Sequence, residues 1–258
     1  MDLGLTDRVA LVTGGSRGLG KAMAAALAAE GARVALCARD ETTLGQTAET
    51  IAGTGATVLP VVADVTSVED RERLMAEVGG RLGPVEVLVN NVGGNRRGAI
   101  CDTTDEDWQA IIDLNLMSHM QLSRSVVPAM RKEGRGVILF VTSIYGREYG
   151  GPGMSIYHTT KAAVIGLAKA LALELAPDGI RVNSIAPGSI RFPGGSWDKK
   201  CQVDPEAMAT FIKAEIPMGR FGAAEEIGDV AAFLASDRAS WITGACLNVD
   251  GGQSRSLI

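Results

Sequence analysis

The chain has 258 residues, 46% of them apolar, and its 30 acidic and 25 basic residues give a net charge of −5. One compact α/β domain fits this size, whereas the lack of a Lys/Arg block and of a long apolar N-terminal run argues against a nucleic-acid partner, a signal peptide and a membrane span, so a cytoplasmic protein is predicted. Four widely spaced cysteines and two histidines predict neither a disulfide framework nor a metal site.

Short runs rich in β-branched residues alternate with longer helical stretches along the chain. The predicted strands are RVALVTG (8–14), RVALCAR (33–39), TVLPVVADV (57–65), VEVLVNN (85–91), GVILFVTS (136–143), IRVNSIAPG (180–188) and ACLNVDGG (245–252). Parallel strands need crossover connections, so we predict a doubly wound Rossmann fold, with a seven-stranded parallel sheet and helices on both faces, in a single domain over residues 1–258.

One stretch breaks this alternation. RFPGGSWDKKCQVDP (191–205) is rich in Gly, Pro and charge and follows a predicted strand. Irregular segments of this length often cover a binding site. We therefore predict a substrate loop at about residues 190–215.

A glycine-rich turn follows the first predicted strand. It reads TGGSRGLG at residues 13–20, with Gly14, Gly18 and Gly20 opening a helix. Glycines here allow close approach of the backbone to a ligand and leave the helix N-terminus able to hold a pyrophosphate. Glycine-rich turns also arise for packing alone, so this loop by itself leaves nucleotide binding open.

The second predicted strand ends in LCARD at residues 36–40, where a dinucleotide fold meets the adenosine ribose. Arg39 at this tip and Arg17 in the glycine loop can flank a 2′-phosphate, which favours NADP(H). Asp40 follows directly, and a carboxylate turned toward the ribose would favour NAD(H). NADP(H) is therefore the preferred prediction, with NAD(H) as the alternative.

Several motifs, in order, make residues 13–252 resemble the short-chain dehydrogenase/reductase family. Three C-terminal segments resemble most of all its 3-oxoacyl-carrier-protein reductase-like branch: IPMGRFG (216–222), EEIGDVAAFLASD (225–237) and ITGACLNVDGG (242–252). TGGSRGLG resembles the family's cofactor loop, NNVGG (90–94) resembles its NNAG segment with Val92 in place of alanine, and PGSI (187–190) resembles its nicotinamide loop. The cofactor-binding residues that the resemblance implies are Gly14, Ser16, Arg17, Gly18, Leu19, Gly20, Arg39, Asp64, Val65, Asn91, Gly93, Tyr157, Lys161, Pro187, Gly188 and Ile190.

The same resemblance implies a catalytic tetrad of Asn115, Ser143, Tyr157 and Lys161. Tyr157 and Lys161 lie four residues apart, so on a helix both project from one face and the ammonium can approach the phenol. A nearby cation stabilises the phenolate, so we expect the pKa of Tyr157 to fall from about 10. Ser143 ends a predicted strand, where its hydroxyl can polarise a carbonyl. Asn115 would, by resemblance, hold a water that relays protons from Lys161.

Fold and tetrad together predict an NADP-dependent oxidoreductase. It would reduce a ketone or 3-oxoacyl group to a secondary alcohol by hydride transfer, with Tyr157 as general acid and a small-molecule carbonyl or alcohol as substrate. Two alternatives stay open: an NAD-dependent alcohol or sugar dehydrogenase, and a dinucleotide-binding sensor without catalysis.

The substrate is less well defined. A carrier-protein substrate calls for a basic docking surface, to which Arg131, Lys132 and Arg135 can contribute, but Asp178 places an acid in a second position where arginine is expected. Large side chains near the catalytic motifs are predicted to shape the substrate pocket, with loop anchoring as the alternative: Tyr149, Met154, Phe192 and Trp197.

The segment KAAVIGLAKALALELA (161–176) is apolar on more faces than a sheet alone can cover. We therefore predict an oligomer. The family resemblance implies a homotetramer in which the helices that contain Asn115 and Tyr157 pack against a second subunit.

Overall fold

The computed structural model describes residues 2–257, which contain nine strands. Their bounds are β1 Val9–Thr13, β2 Arg33–Ala38, β3 Val58–Val62, β4 Val87–Asn90, β5 Gly136–Val141, β6 Ile180–Pro187, β7 Ile190–Arg191, β8 Gly222–Ala223 and β9 Cys246–Val249. Seven of them form one sheet in the order β3-β2-β1-β4-β5-β6-β9, while β7 pairs with β8. All neighbours in the large sheet are parallel, which confirms the predicted doubly wound architecture.

The order of the strands reverses between β1 and β4. The chain first adds β2 and β3 on one side of β1, then crosses over to place β4 on the other side. The connections that leave the carboxyl ends of β1 and β4 therefore run in opposite directions. In an open parallel sheet this divergence creates a crevice that receives ligands.

Helices fill the crossovers. Their bounds are α1 Gly18–Ala29, α2 Glu41–Ala52, α3 Val68–Arg81, α4 Asp105–Ile112, α5 Ser118–Glu133, α6 Ser155–Leu175, α7 Ser196–Val203, α8 Pro205–Glu215 and α9 Ala224–Ala235. Within residues 2–257, every helix is too short or too polar to span a bilayer. The same residues bring together no group of three metal-type side chains.

The hydrophobic core lies in two layers, one on each face of the sheet. Strand β1 shows why: Val9 and Leu11 enter one layer, and Ala10 and Val12 enter the other. The first layer also takes residues of α3, α5 and α6, and the second takes residues of α1, α2 and α9. Because both faces are covered, the central strands are apolar throughout rather than alternating.

Residues 190–215 fold as a short strand and two helices, so the prediction of an irregular segment is wrong. Asp198 is buried in α7 and accepts hydrogen bonds from Arg191 Nε, the Gly194 amide and Gln202 Nε2, each at 3.0 Å. This carboxylate and its three donors fix the start of the helix, whose only buried residue, among those that the structure describes, is Asp198. Hydrophobic patterning therefore gives little sign of it.

Candidate active site

The turn between β1 and α1 depends on two of its glycines for its shape. Gly14 has φ +63° and Gly18 has φ +55°, a region that L-residues with side chains rarely adopt. A Cβ on Gly20 would lie 2.1 Å from the Gly14 carbonyl oxygen, so the helix closes directly on the turn. The glycine spacing noted in the sequence is therefore required by backbone geometry.

The N-terminus of α1 is suited to an anion. Arg17 occupies the N-cap position without a side-chain capping bond, and the first turn of the helix contains no acidic residue. The first amides of a helix point outward with partial positive charge. A phosphate placed there would meet several donors at once.

A cleft of about 620 Å³ opens beside this turn. It extends from the glycine loop to the end of β2 and on to the segment after β4. Most of the residues assigned to the cofactor line it: Gly14, Ser16, Arg17, Leu19, Gly20, Arg39, Asp64, Val65, Asn91 and Gly93. The crevice at the strand reversal is thus large enough, and built of suitable residues, for a dinucleotide.

Other residues assigned to the cofactor lie elsewhere. Gly18 lines a neighbouring depression, and Pro187 and Gly188 line the adjoining cavity described below. Ile190 is buried and packs into the core layer of α1 and α9. Its side chain therefore positions the loop instead of lining the cleft.

At the end of β2, charge is available to the cleft. The Arg39 side chain is 76% exposed and lies 3.7 Å from the Asp64 carboxylate, a loose ion pair. Asp40 caps α2 by accepting a 2.7 Å hydrogen bond from the Thr43 amide. Hydrogen bonds from Thr43 hold the pKa of Asp40 below its ordinary value, so the carboxylate is ionised and committed to the cap.

A second cavity, of about 570 Å³, holds the polar residues at the end of β5 and the start of α6. Ser143, Tyr157 and Lys161 all line it. Leu19, Asn91 and Gly93 line both this cavity and the cleft, so the two spaces adjoin. We call the second space the catalytic cavity.

Lys161 is buried and donates a 2.8 Å hydrogen bond from Nζ to the Val141 carbonyl at the end of β5. Its Nζ lies 5.7 Å from the centre of the Tyr157 ring. Burial lowers the pKa of Lys161 to about 8, so the ammonium form still dominates at neutral pH. The spacing of four residues thus places both groups in one cavity, but the ammonium points to the backbone.

The pKa of Tyr157 is raised, which reverses the direction expected from the sequence. Burial of the phenol is the largest cause, and a hydrogen bond with Ser143 partly offsets it. The Lys161 ammonium, 5.7 Å from the ring centre and hydrogen-bonded to the Val141 carbonyl, does not reverse this rise. Tyr157 is therefore a protonated donor at neutral pH.

Asn115 lies in a π-helical turn, Asp113–Met117, between α4 and α5. Its amide group bonds the Gly94 backbone twice, with Oδ1 accepting from N at 2.8 Å and Nδ2 donating to O at 3.0 Å. Nδ2 also donates to Thr160 Oγ1 at 3.0 Å, one residue before Lys161. Asn115 therefore ties the segment after β4 to α6.

Gly93 shows how close these groups come. A Cβ on Gly93 would lie 3.3 Å from Lys161 Nζ and 3.5 Å from Asn115 Oδ1. Glycine leaves this corner between the cleft and the catalytic cavity open. The NNVGG segment thus contributes to the site because Gly93 has no side chain that would fill this corner.

The four residues predicted for the substrate pocket lie in different places. Met154 and Trp197 line the catalytic cavity. Phe192 lines the cofactor cleft, with its ring against Gly18, and Tyr149 is 76% exposed and lines neither of these two spaces. Phe192 therefore lies nearer the glycine turn than Ser143, Tyr157 and Lys161.

The cavity also includes residues that sequence reasoning missed. Tyr145, Arg97 and Lys200 line it. Arg97 follows the NNVGG segment by three residues, and Lys200 follows Trp197 by three on α7, so a helix prediction for this segment would have grouped that second pair.

Comparisons with known proteins agree with this architecture. A family model described as enoyl-(acyl carrier protein) reductase matches residues 14–254. The chain is 38% identical over 248 residues to the 3-oxoacyl-acyl-carrier-protein reductase FabG of Thermotoga maritima, covering 96% of this chain and 98% of that protein. It is also 38% identical over 254 residues to dehydrogenase/reductase SDR family member 4 of Homo sapiens, covering 98% and 90%.

Solved structures show the same relationship. An L-sorbose reductase from Gluconobacter frateurii, complexed with NADPH and L-sorbose, superposes with a TM-score of 0.93 at 34% identity, covering 100% of both chains. A short-chain type dehydrogenase/reductase from Mycobacterium marinum has a TM-score of 0.88 at 35% identity, covering 99% of this chain and 98% of that one. This chain therefore belongs to the short-chain dehydrogenase/reductase family of oxidoreductases.

Proposed function

We propose that the protein is an NADPH-dependent carbonyl reductase that converts a small ketone or 3-oxoacyl compound to a secondary alcohol. The observation that carries this proposal is the catalytic cavity, where Ser143, Tyr157 and Lys161 meet beside a dinucleotide-sized cleft. A non-catalytic sensor would not need a hydroxyl donor and a buried ammonium at that junction.

The cleft fits a nicotinamide dinucleotide. The uncapped N-terminus of α1 and the glycine turn would hold the pyrophosphate, and Gly93 leaves space where a Cβ would meet Lys161 and Asn115. Lys161 would reach the nicotinamide ribose from this corner. When bound, the nicotinamide supplies the hydride for reduction of the carbonyl carbon.

The protein's own residues would manage the carbonyl oxygen. Ser143 would bind that oxygen by a hydrogen bond and orient the carbonyl. Tyr157, protonated at neutral pH, would then give its proton to the oxygen as negative charge develops there. The ammonium of Lys161 would stabilise the resulting phenolate from within the same cavity.

Asn115 is best interpreted as a positioning residue. Its three hydrogen bonds fix Gly94 and Thr160, which flank the space around Lys161 Nζ. The water relay implied by the family resemblance would need the remaining acceptor capacity of its Oδ1.

Two arginines favour the phosphorylated cofactor. Arg17 and Arg39 both line the cleft, and Asp40 is engaged at the cap of α2. The L-sorbose reductase with the same fold was solved with NADPH. A 2′-phosphate between the two guanidinium groups would form charge-assisted contacts.

A free small molecule suits this chain better than a carrier protein. Arg131 forms a 2.7 Å ion pair with Asp178, and Arg135 forms one with Glu86. Both candidate docking arginines are thus already paired with acids. A partner carboxylate or phosphate would have to displace these partners.

The test is oxidation of NADPH by the purified protein with a panel of ketones and 3-oxoacyl thioesters, using wild type and Tyr157→Phe. We expect turnover in the wild type and a loss of at least about a hundredfold in the variant, the scale of a lost general acid. Cofactor affinity and melting temperature should stay close to wild type. Turnover above a tenth of wild type, with hydride transfer rate-limiting, would remove Tyr157 from this role.

A further inference from the structure

The catalytic cavity has a strongly one-sided charge. Besides Lys161, two basic side chains line it, Arg97 and Lys200. Among residues 2–257, no Asp or Glu lines this cavity. A pocket for a neutral ketone has no need of such a lining, because apolar walls and a few hydrogen-bonding groups would suffice.

Neither of these two cations is neutralised by the protein. Arg97 contacts the Met154 sulfur, with Nη2 and Sδ 3.5 Å apart, and Lys200 Nζ lies 4.2 Å from the centre of the Trp197 ring. Within the described part of the chain, no carboxylate forms an ion pair with either one. The neighbouring Arg96 differs, because it is paired with Asp107.

Lys200 sits on a well-anchored helix. Trp197 stacks on Phe211 at 4.7 Å and contacts Phe221 at 5.2 Å between ring centres. The bonds to Asp198 fix the turn that leads into α7. The ammonium is therefore held near the cavity by packed aromatic side chains.

The two acids that act on Tyr145 lie outside the lining of this cavity. Burial raises the pKa of the Tyr145 phenol, and Glu148 and Glu215 add to that effect, so both carboxylates lie in its neighbourhood. Yet neither lines the catalytic cavity, and Glu148 accepts the Arg255 amide at 2.8 Å. A ligand inside the cavity would meet the cations first.

We propose that the natural substrate is an anionic oxo compound. Its carbonyl would bind at Ser143 and Tyr157, and its carboxylate or phosphate would bind Arg97 and Lys200. The guanidinium can hold two oxygens of such a group at once, and the ammonium adds a point charge. This inference rests on the proposed function and narrows its substrate class.

The experiment compares charged and neutral partners of the same ketone. One arm uses straight-chain oxo acids that differ in the distance between ketone and carboxylate, each with its methyl ester. The other arm uses dihydroxyacetone phosphate with dihydroxyacetone. The measured quantity is the ratio of kcat/KM for the anionic compound to kcat/KM for its neutral partner.

For the wild type we expect a ratio of at least about ten in one arm, the scale of one charge-assisted contact. The arm in which the ratio reaches this value shows whether the anionic group of the substrate is a carboxylate or a phosphate. In Arg97→Gln/Lys200→Gln this ratio should fall at least about tenfold. The matched control Arg96→Gln/Lys199→Gln removes the same net charge outside the cavity lining and should leave the ratio within about twofold of wild type.

The outcomes separate the two proposals. Turnover of neutral ketones with a ratio at or below one in both arms would overturn the anionic substrate and leave the reductase function standing. An equal loss in the control would show a general field effect and would also overturn it. No turnover of any oxo compound with NADPH or NADH would overturn the proposed function, and this inference with it.

Discussion

Lys161 is a charged group in surroundings that disfavour charge. It is buried, its ammonium has one hydrogen-bond partner, the Val141 carbonyl, and desolvation lowers its pKa to about 8. Its ordinary pKa, 10.5, applies to the unfolded chain. Below pH 8 both states carry the proton, so folding bears the whole cost of burying the charge. A residue kept in such a place is expected to serve function rather than stability.

Because burying the Lys161 ammonium costs free energy on folding, we predict that Lys161→Met stabilises the protein at pH 7. Between pH 8 and 10.5 the unfolded wild type binds the proton and the folded wild type does not, so wild-type stability rises with pH there. The advantage of the variant should therefore shrink over that interval, by at most about 3 kcal/mol. Urea unfolding at pH 7 and pH 10 measures it.

The control for this prediction is Lys169→Met, since Lys169 is exposed on the same helix. It should show no comparable pH-dependent difference from wild type. A Lys161→Met variant whose advantage is the same at both pH values would contradict the assigned cause.

The position of Arg39 leads to a prediction about whether the protein prefers NADPH or NADH. Its side chain is largely exposed at the edge of the cleft, with only the loose contact to Asp64, so a 2′-phosphate can recruit it. We expect wild type to prefer NADPH over NADH at least about tenfold in kcat/KM, and Arg39→Ala and Ala38→Asp to erode that preference. Arg33→Ala, at the other end of β2, should leave the ratio near wild type. A wild-type preference for NADH would show that Asp40 leaves its cap to bind the ribose.

Residue spacing predicted only part of this site. Ser143, Tyr157 and Lys161 share a cavity, as strand-end and helix-face arguments indicated. The predicted direction of the Tyr157 pKa shift was wrong, because helix spacing does not show that the fold buries the phenol. Arg97 carried no motif of its own, so only the folded chain reveals its place.

At the scale of elements, the sequence misses changes of helix type and helices held by polar contacts. The π-helical turn at Asp113–Met117 interrupts an otherwise continuous helical pattern and brings Asn115 to Gly94. Helix α8 did carry a usable signal, because Asp204 caps it and Pro205 occupies its first turn. Helix α7 carried none of comparable strength, since Asp198 is the only buried residue among those described in it.

The glycine turn is coupled to the segment that follows β7 through a contact between Gly18 and Phe192. A Cβ on Gly18 would lie 2.7 Å from the Phe192 ring, and the residue has φ +55°. Gly18→Ala should therefore destabilise the protein by about 1 to 3 kcal/mol, through backbone strain and the clash. Adding Phe192→Ala should recover the clash part, so the double variant is more stable than the sum of single effects predicts.

Gly55→Ala supplies the comparison, because Gly55 has φ +92° and nothing within 4 Å of a Cβ. Its effect on the free energy of unfolding, measured with urea, should add to that of Phe192→Ala. If the effects of Gly18→Ala and Phe192→Ala were also additive, the Phe192 ring would have to move away from the added methyl group without cost.

For the whole molecule, the parallel sheet and its two layers of helices follow from the sequence, because the alternation of strands and helices and the handedness of crossovers allow few arrangements. Burial at the surface is less predictable. Strand β9 ends the sheet, and Leu247 on it is 41% exposed, while Trp241 before it is 98% exposed. Such an edge, with large apolar side chains, favours association with another chain.

A second exposed surface, made mostly of small and apolar residues, lies on α6. Its buried side includes Val164 and Ala168, while the opposite side exposes Ala162, Gly166, Lys169 and Leu173, the last at 67%. Small residues there permit close approach of another helix. Two separate self-complementary surfaces, each used around its own twofold axis, generate a tetramer with dihedral symmetry.

We therefore expect light scattering at micromolar concentration to give four times the chain mass of 26.9 kDa. Trp241→Glu/Leu247→Lys should halve that mass by removing the β9 contact, and Leu173→Glu/Gly166→Lys should halve it by removing the α6 contact. The four substitutions together should leave a monomer, since each contact would then have to bury two newly introduced charges. Lys169→Met, which lies on the same face of α6 but adds no new charge, should remain tetrameric. A monomeric wild type would rule out both contacts, and a dimer that only one pair of substitutions splits would leave that surface as the sole interface.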